Sequence, residues 1–185
     1  MALKSTIFKA ALHVANVDRN YYADHSLTLA RHPSETDERM MIRLLAFALF
    51  ANERLEFGRG LSADDEPALW LRDYAGNIDL WIDVGLPDQR SVRKAAGRAE
   101  RVVVLAYGGR ALDVWWRREG PQLERLDKAT IWAIDVDQSM ALAGLSARAM
   151  DLQCTIQDGQ AMISDGKTTV TIEPRRLNDT LAESG

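Results

Sequence analysis

A chain of 185 residues is long enough to bury a sizeable core and short enough to read as one domain over 1–185. Its 46% hydrophobic and 27% charged content fits a soluble globular protein, and no uninterrupted apolar run reaches bilayer-spanning length. A formal net charge of −4 excludes a global pull toward nucleic acid, so any such binding needs a local basic patch.

Cys154 is the single cysteine, which excludes an intrachain disulfide and a cysteine-cluster metal site. A free thiol suits a reducing compartment, and residues 1–6 lack a signal-peptide pattern, so a cytoplasmic location is expected, with no membrane partner.

The elements follow in chain order. Thr6, Phe8, Ala10, Leu12 and Val14 fall at alternate positions within 3–17 and predict a strand; 16–20 reads as a turn. Leu27 and Leu29 share one face of a second strand over 21–31, joined to the first as a hairpin. Pro33-Ser34 ahead of Glu35-Thr36-Asp37-Glu38 predicts a helix N-capped by Ser34, with acids in its first turn. Met41, Leu44, Leu45, Ala48 and Leu49 form its apolar stripe, and Glu38, three residues before Met41, shares that stripe. The helix is expected to end before Gly58-Arg59-Gly60.

An acidic ribbon from Asp64 to Gly85 reads as strand, tight turn, strand. Ile78, Leu80, Ile82 and Val84 alternate with Asp79, Trp81 and Asp83, which puts the aliphatic set on one face and two acids with a tryptophan on the other. Gly76-Asn77 tolerates positive φ and suits the turn. Acids are depleted in strands, so either this face is wet or its acids hold something. At ~3.3 Å per residue Asp79 and Asp83 lie about 13 Å apart and cannot share one ion. With a two-residue loop Asp83 faces Ala68 or Trp70; Asp65 and Glu66 reach it only if the chain bends at Pro67.

Pro87-Asp88 opens a second helix over 88–99 with a small apolar stripe of Val92, Ala95, Ala96 and Ala99. Residues 101–107 read as a strand buried on both faces, closed by Gly108-Gly109. Residues 110–119, with Trp115-Trp116, read as a helix, 129–134 as another buried strand and 137–147 as a helix. Strands at 150–157, 160–164 and 168–173 are joined by Asp158-Gly159 and Asp165-Gly166-Lys167; 177–185 is expected to fray. The fold class is therefore α/β: a central mixed sheet with crossover helices over 34–136, plus a second, antiparallel sheet from the terminal hairpins.

Carboxylates converging from a helix and two adjacent strands are what a hard divalent ion requires, and such an ion polarises a phosphate and acidifies a bound water. Glu38, Asp65, Glu66 and Asp83 are the candidate ligands for Mg²⁺ or Mn²⁺; no organic cofactor is expected. Asp83 with Lys94 or Gln89 is the candidate catalytic set. By helical phase Gln89 faces inward and Lys94 lies off the stripe. Arg90, Arg93, Lys94 and Arg98, followed by Arg101, form a basic cluster: either phosphate contacts or a solvated face balancing nearby acids. His13, His25 and His32 show no metal spacing, and His32 reads as part of the helix-entry turn. Trp115-Trp116 reads as helix packing rather than a base-stacking platform.

The residues 27–36, Arg39-Met40-Met41, Asp64-Asp65-Glu66-Pro67, 79–88, Lys94-Ala95 and 155–159 together resemble the YaeQ family over nearly the whole chain. The resemblance implies a small bacterial, cytoplasmic protein of a family without a defined activity. It also implies a compact variant of the PD-(D/E)XK nuclease fold, with its restriction-endonuclease-like core. That superfamily sets a helix-borne Glu, an Asp on one hairpin strand and an acid-x-Lys on the next around one or two Mg²⁺ ions. Glu38 matches the helical acid. Pro67-Ala68 stands where Pro-Asp would, and Asp83-Val84-Gly85 where acid-x-Lys would, so the motif's Asp and Lys are absent in place. Asp65, Glu66 and Lys94 lie near enough in sequence to substitute. Two readings follow. One is Mg²⁺-dependent phosphodiester hydrolysis on nucleic acid. The other is a nuclease fold kept as a binding or regulatory module whose basic helix meets nucleic acid or a protein partner.

Overall fold

The computed structural model describes residues 4–59 and 65–178; Asp64 at the head of the acidic ribbon, Gly60, and the residues from 179 on within the expected frayed end lie outside the described residues. Among the described residues are eleven strands, arranged in two sheets, and four helices. Strands β1 (Thr6–Asn16) and β2 (Tyr21–Arg31) make the first hairpin, with Phe8, Ala10, Leu12, Val14, Leu27 and Leu29 buried, as the alternation predicts. Helix α1 (Asp37–Leu49) is capped not by Ser34 but by Thr36, whose hydroxyl accepts from the Arg39 N–H at 3.1 Å. Ser34 is engaged elsewhere: its hydroxyl meets His32 Nδ1 at 2.7 Å in the turn that feeds the helix.

After α1 comes a short strand that the pattern did not predict, β3 (Leu55–Phe57), before β4 (Leu69–Arg72) and β5 (Ile78–Val84). The β4–β5 loop is longer than the expected two residues. A register shift at Leu71/Arg72 leaves five residues between the Arg72–Ile78 pair, and the Asp73 carboxylate accepts from the N–H groups of Ala75 and Asn77, closing the turn. Leu69 still pairs with Ile82, so Asp83 lies opposite Ala68. Helix α2 (Gln89–Arg98), capped by Asp88, crosses to β6 (Ala99–Ala106); α3 (Arg110–Leu123) crosses to β7 (Ala129–Ala133); α4 (Val136–Ala143) follows. Strands β5, β6 and β7 are mutually parallel, and the sheet order is β11-β7-β6-β5-β4-β3, with β11 (Arg175–Arg176) returning to its edge.

The terminal strands β8 (Ala149–Gln157), β9 (Gln160–Ser164) and β10 (Thr169–Ile172) join the first hairpin in the order β10-β9-β8-β1-β2. This sheet was expected to be antiparallel. It is mixed, because β8 runs parallel to β1, setting buried Leu152 beside Leu12 and Cys154 beside Val14. The β8–β9 turn has φ of 53° at Asp158 and 74° at Gly159, the left-handed pair that a two-residue hairpin needs.

One core takes side chains from both sheets and from α1, in which Met40 to Ala48 are all buried. A fully buried aliphatic side chain contributes about 1.5–3 kcal/mol. A second core lies on the opposite face of the β5–β6–β7 sheet: Trp81, Val102, Val104 and Ile131 pack against Val92 and Ala95 of α2 and Leu112 and Trp115 of α3. Both faces of β5 are thus covered where α2 crosses it, so the acid-bearing face is not simply wet. Trp115 is buried, donating to the Pro87 carbonyl at 2.7 Å, as the packing reading expects. Among the described residues no helix is long and apolar enough to cross a membrane.

Candidate anion-binding cleft

Where α2 leaves the sheet, its flank and the β4–β5 ribbon enclose a cleft of about 390 Å³ whose polar lining is Arg39, Asp65, Glu66, Asp83, Ser91, Lys94 and Arg98 around Trp81. The chain bends on either side of Pro67 before β4, and Asp65 and Glu66 line the cleft with Asp83, the penultimate residue of β5. Asp83 accepts from Trp81 Nε1 at 3.0 Å and from the Ala68 N–H. Burial raises its carboxyl above the usual range, against the opposing pull of these two donors and of the Arg39 charge.

The other two acids are matched to cations. Lys94 Nζ donates to Asp65 at 2.8 Å, and this bond with its charge lowers the Asp65 carboxyl. Arg98 donates to the Asp65 carbonyl at 2.8 Å while its guanidinium lies 5.0 Å over the Trp81 ring. Glu66 accepts from the Arg59 backbone N–H at 2.9 Å and from Arg59 Nε at 3.0 Å, which lower its carboxyl. Lys94 lies off the apolar stripe, as helical phase says, yet its long stem carries the ammonium back to the cleft.

Arg39, on α1, was missed by sequence reasoning. It pairs with Glu35, which is itself buried and also pairs with buried Arg43. Two guanidiniums on one carboxylate leave one positive charge unbalanced in that trio, and Arg39 is the member that reaches the cleft. The available signal was the spacing of four between Glu35, just ahead of the Thr36 cap, and Arg39 in the first turn of the helix.

Four predicted site residues, Glu38, Gln89, Arg90 and Arg93, are not in the cleft lining. Glu38, next door to Arg39, points toward α4 and accepts from Ser139 Oγ at 3.4 Å. Gln89 is turned to α3: its backbone N–H donates to Glu119 at 3.2 Å, and its side-chain oxygen is buried without a hydrogen bond. Asp79, half-buried, is also outside the lining. Arg90 and Arg93 are exposed on α2 beside Lys94 and Arg98. Charge is unevenly spread: residues 88–128 hold ten Lys/Arg against six Asp/Glu, a local +4 in a chain of net −4.

The departures from the nuclease motif have physical content. Gly85 has φ of 103°, a backbone that a lysine adopts only under strain, so the motif lysine has no unstrained place there. Ala68 is buried opposite Asp83, where a second carboxylate would meet the first without solvent. Among the described residues no three His, Cys, Asp or Glu side chains come together in a metal-ligating group. Each acid of the cleft already holds a donor, so the set as arranged does not fit a divalent ion.

The YaeQ protein family model matches residues 1–174. The uncharacterized YaeQ proteins of Salmonella typhi and Escherichia coli are 49% and 48% identical, over 94% and 93% of this chain and 96% and 95% of their own. The crystal structure of the Xanthomonas axonopodis pv. citri YaeQ protein superposes with a TM-score of 0.90 at 50% identity, covering 93% of this chain and 97% of that one. That of Pseudomonas syringae gives 0.89 at 38% identity, covering 94% and 96%.

Proposed function

The chain belongs to the YaeQ family, and from that premise we propose that its cleft is a nucleic-acid phosphodiester-binding site on a compact PD-(D/E)XK-like scaffold. The module acts by binding. One observation carries this reading: Lys94 and Arg98 of the basic helix and Arg39 of α1 converge on one cleft, with Arg90 and Arg93 continuing the positive edge outside it. A backbone phosphate seated there would exchange for the Asp65 carboxylate on Lys94 and draw on the unbalanced charge of Arg39. Acids on the opposite wall, Asp83 above all, oppose deep seating and set the register. The test is fluorescence anisotropy with labelled DNA and RNA oligonucleotides across a salt series. Binding that weakens steeply with salt supports the reading, and its loss in a Lys94→Glu/Arg98→Glu variant assigns it to the cleft. No binding at low salt overturns it.

Metal-dependent hydrolysis is the second reading, favoured by one observation: Asp65, Glu66, Asp83 and Lys94 line the same cleft. It requires Asp65 and Glu66 to give up Lys94 and Arg59, with Glu38 left outside. Calorimetric titration of Mg²⁺ or Mn²⁺ decides it. Heat in the native protein that disappears in Asp83→Asn supports it, and no heat removes it. Cleavage of nucleic acid that survives Asp83→Asn is contamination.

A further inference from the structure

The cleft does not end at α2. Beyond it, β4 and β3 continue the same sheet face, and there the side chains form arginine–aromatic pairs. Arg98 lies over Trp81, Arg72 lies 4.3 Å over the Trp70 ring, and Arg54 lies 5.3 Å over the Tyr74 ring. Trp70 and Trp81 are cross-strand partners, in edge contact at 6.2 Å, so the first two pairs adjoin. Arg54 donates to the Arg72 carbonyl at 2.8 Å, which ties the third pair to the second. Tyr74, at the tip of the β4–β5 hairpin, is 97% exposed. Arg72 shares its charge with Glu56 at 3.0 Å, so the row carries less net positive charge than α2.

A duplex buries its base faces and presents phosphates and the edges of its bases in the grooves, so it offers nothing for a ring to stack on and is met by the charges of α2. A row of aromatic rings alternating with guanidiniums suits unstacked bases instead, because every base has a π-face and arginine planes stack as well as rings do. We propose that this strip is a base-stacking subsite, and that the ligand is a single-stranded nucleic acid. The strand's phosphates run over Lys94 and Arg98, and its bases lie along Trp70 and Arg72 and end on Tyr74. The inference rests on the phosphodiester reading of the cleft and narrows it to one strandedness.

The experiment compares a labelled single strand with the duplex of the same sequence at one salt concentration, using the full chain and two variants. Tyr74→Ala removes an exposed ring that, among the described residues, stacks with Arg54 alone, so the fold is expected to survive. The single strand is expected to bind more tightly than the duplex. Tyr74→Ala is expected to weaken the single strand about ten-fold, the order of one unstacked base, while leaving the duplex unchanged. Tyr74→Phe, which keeps the ring, is expected to bind as the native protein does. Equal affinity for both forms, or an equal effect of Tyr74→Ala on both, overturns the stacking subsite and leaves the cleft reading standing. No binding of either form overturns both.

Discussion

At the scale of single residues, two titrating groups give opposite pH signatures. Asp83 has its folded-state carboxyl raised, first of all by burial, so the folded chain holds that proton more tightly than the unfolded chain does. Ionised Asp83 therefore costs stability above its folded value, and the cost fades as pH falls through it. Asp83→Asn keeps an oxygen to accept from Trp81 Nε1 and discards the charge. The variant is expected to be more stable at pH 7, by on the order of 1 kcal/mol, the usual scale of a single substitution. The gain is expected to shrink as the solution is acidified and to vanish below the ordinary carboxylate range of about pH 4, as urea unfolding at the two pH values will measure. A variant that is less stable at pH 7 would mean that Arg39 needs the carboxylate. His13 runs the other way. Its two ring nitrogens meet Asp24 at 2.7 Å and Asp151 at 2.9 Å across three neighbouring strands, so both must carry protons to donate, and these bonds raise its folded-state value. That contribution is fully present below the unfolded value of about 6.5 and is lost as pH rises through the folded one. The difference in Tm between native protein and His13→Asn is therefore expected to be largest near pH 6 and to close at alkaline pH.

At the scale of elements, α2 decides what the cleft can be. Its small stripe of Val92, Ala95 and Ala96 lets it lie close on Trp81, and this closeness takes the acid-bearing face of β5 out of bulk water. The β5 alternation and the small stripe of α2 were each plain in the sequence. Their meeting was not, because a period of two says that a strand has two faces and not what will cover the second. The longer β4–β5 loop was hidden for a related reason: Asp73 closes the turn with its own carboxylate, which no Gly-Asn signal reveals. Glu38 was picked out by its phase on α1, yet α1 is buried on nearly every side, so phase alone could not separate the flank facing α4 from the flank where Arg39 meets the cleft. The functional weight placed on α2 has its own test. Arg90→Glu/Arg93→Glu leaves the apolar stripe and the Asp88 cap untouched, so helix content by circular dichroism is expected to hold. Nucleic-acid affinity is expected to fall, and the slope of log K against log salt to flatten by about 0.7–0.9 for each phosphate no longer neutralised. An unchanged slope would place the electrostatic footprint elsewhere.

At the scale of the whole molecule, the two sheets are held together by one shared core. Leu12 and Leu29 from the first sheet, Leu44 and Leu45 from α1, and Leu69 and Ile82 from the second sheet belong to the same buried cluster. Strand β1, the first in the chain, is flanked by β2 and by β8, so the first sheet cannot be completed until the chain has passed through the second. The first sheet then has no apolar interior of its own, and the chain is expected to unfold in a single cooperative step. The tryptophans allow the two sheets to be watched separately. Trp70 and Trp81 lie on strands of the second sheet and Trp115 and Trp116 on α3, all packed in or against the second core, so their emission reports on that half once Trp132, which packs against the shared core, is replaced by Phe. The His13 ring protons report on the first sheet by NMR. Coincident urea midpoints for the two signals are expected. Midpoints that separate would show that the sheets are energetically distinct, and that the cleft, built only from α1, α2 and the ribbon, can open while the β1–β2–β8 sheet stays folded.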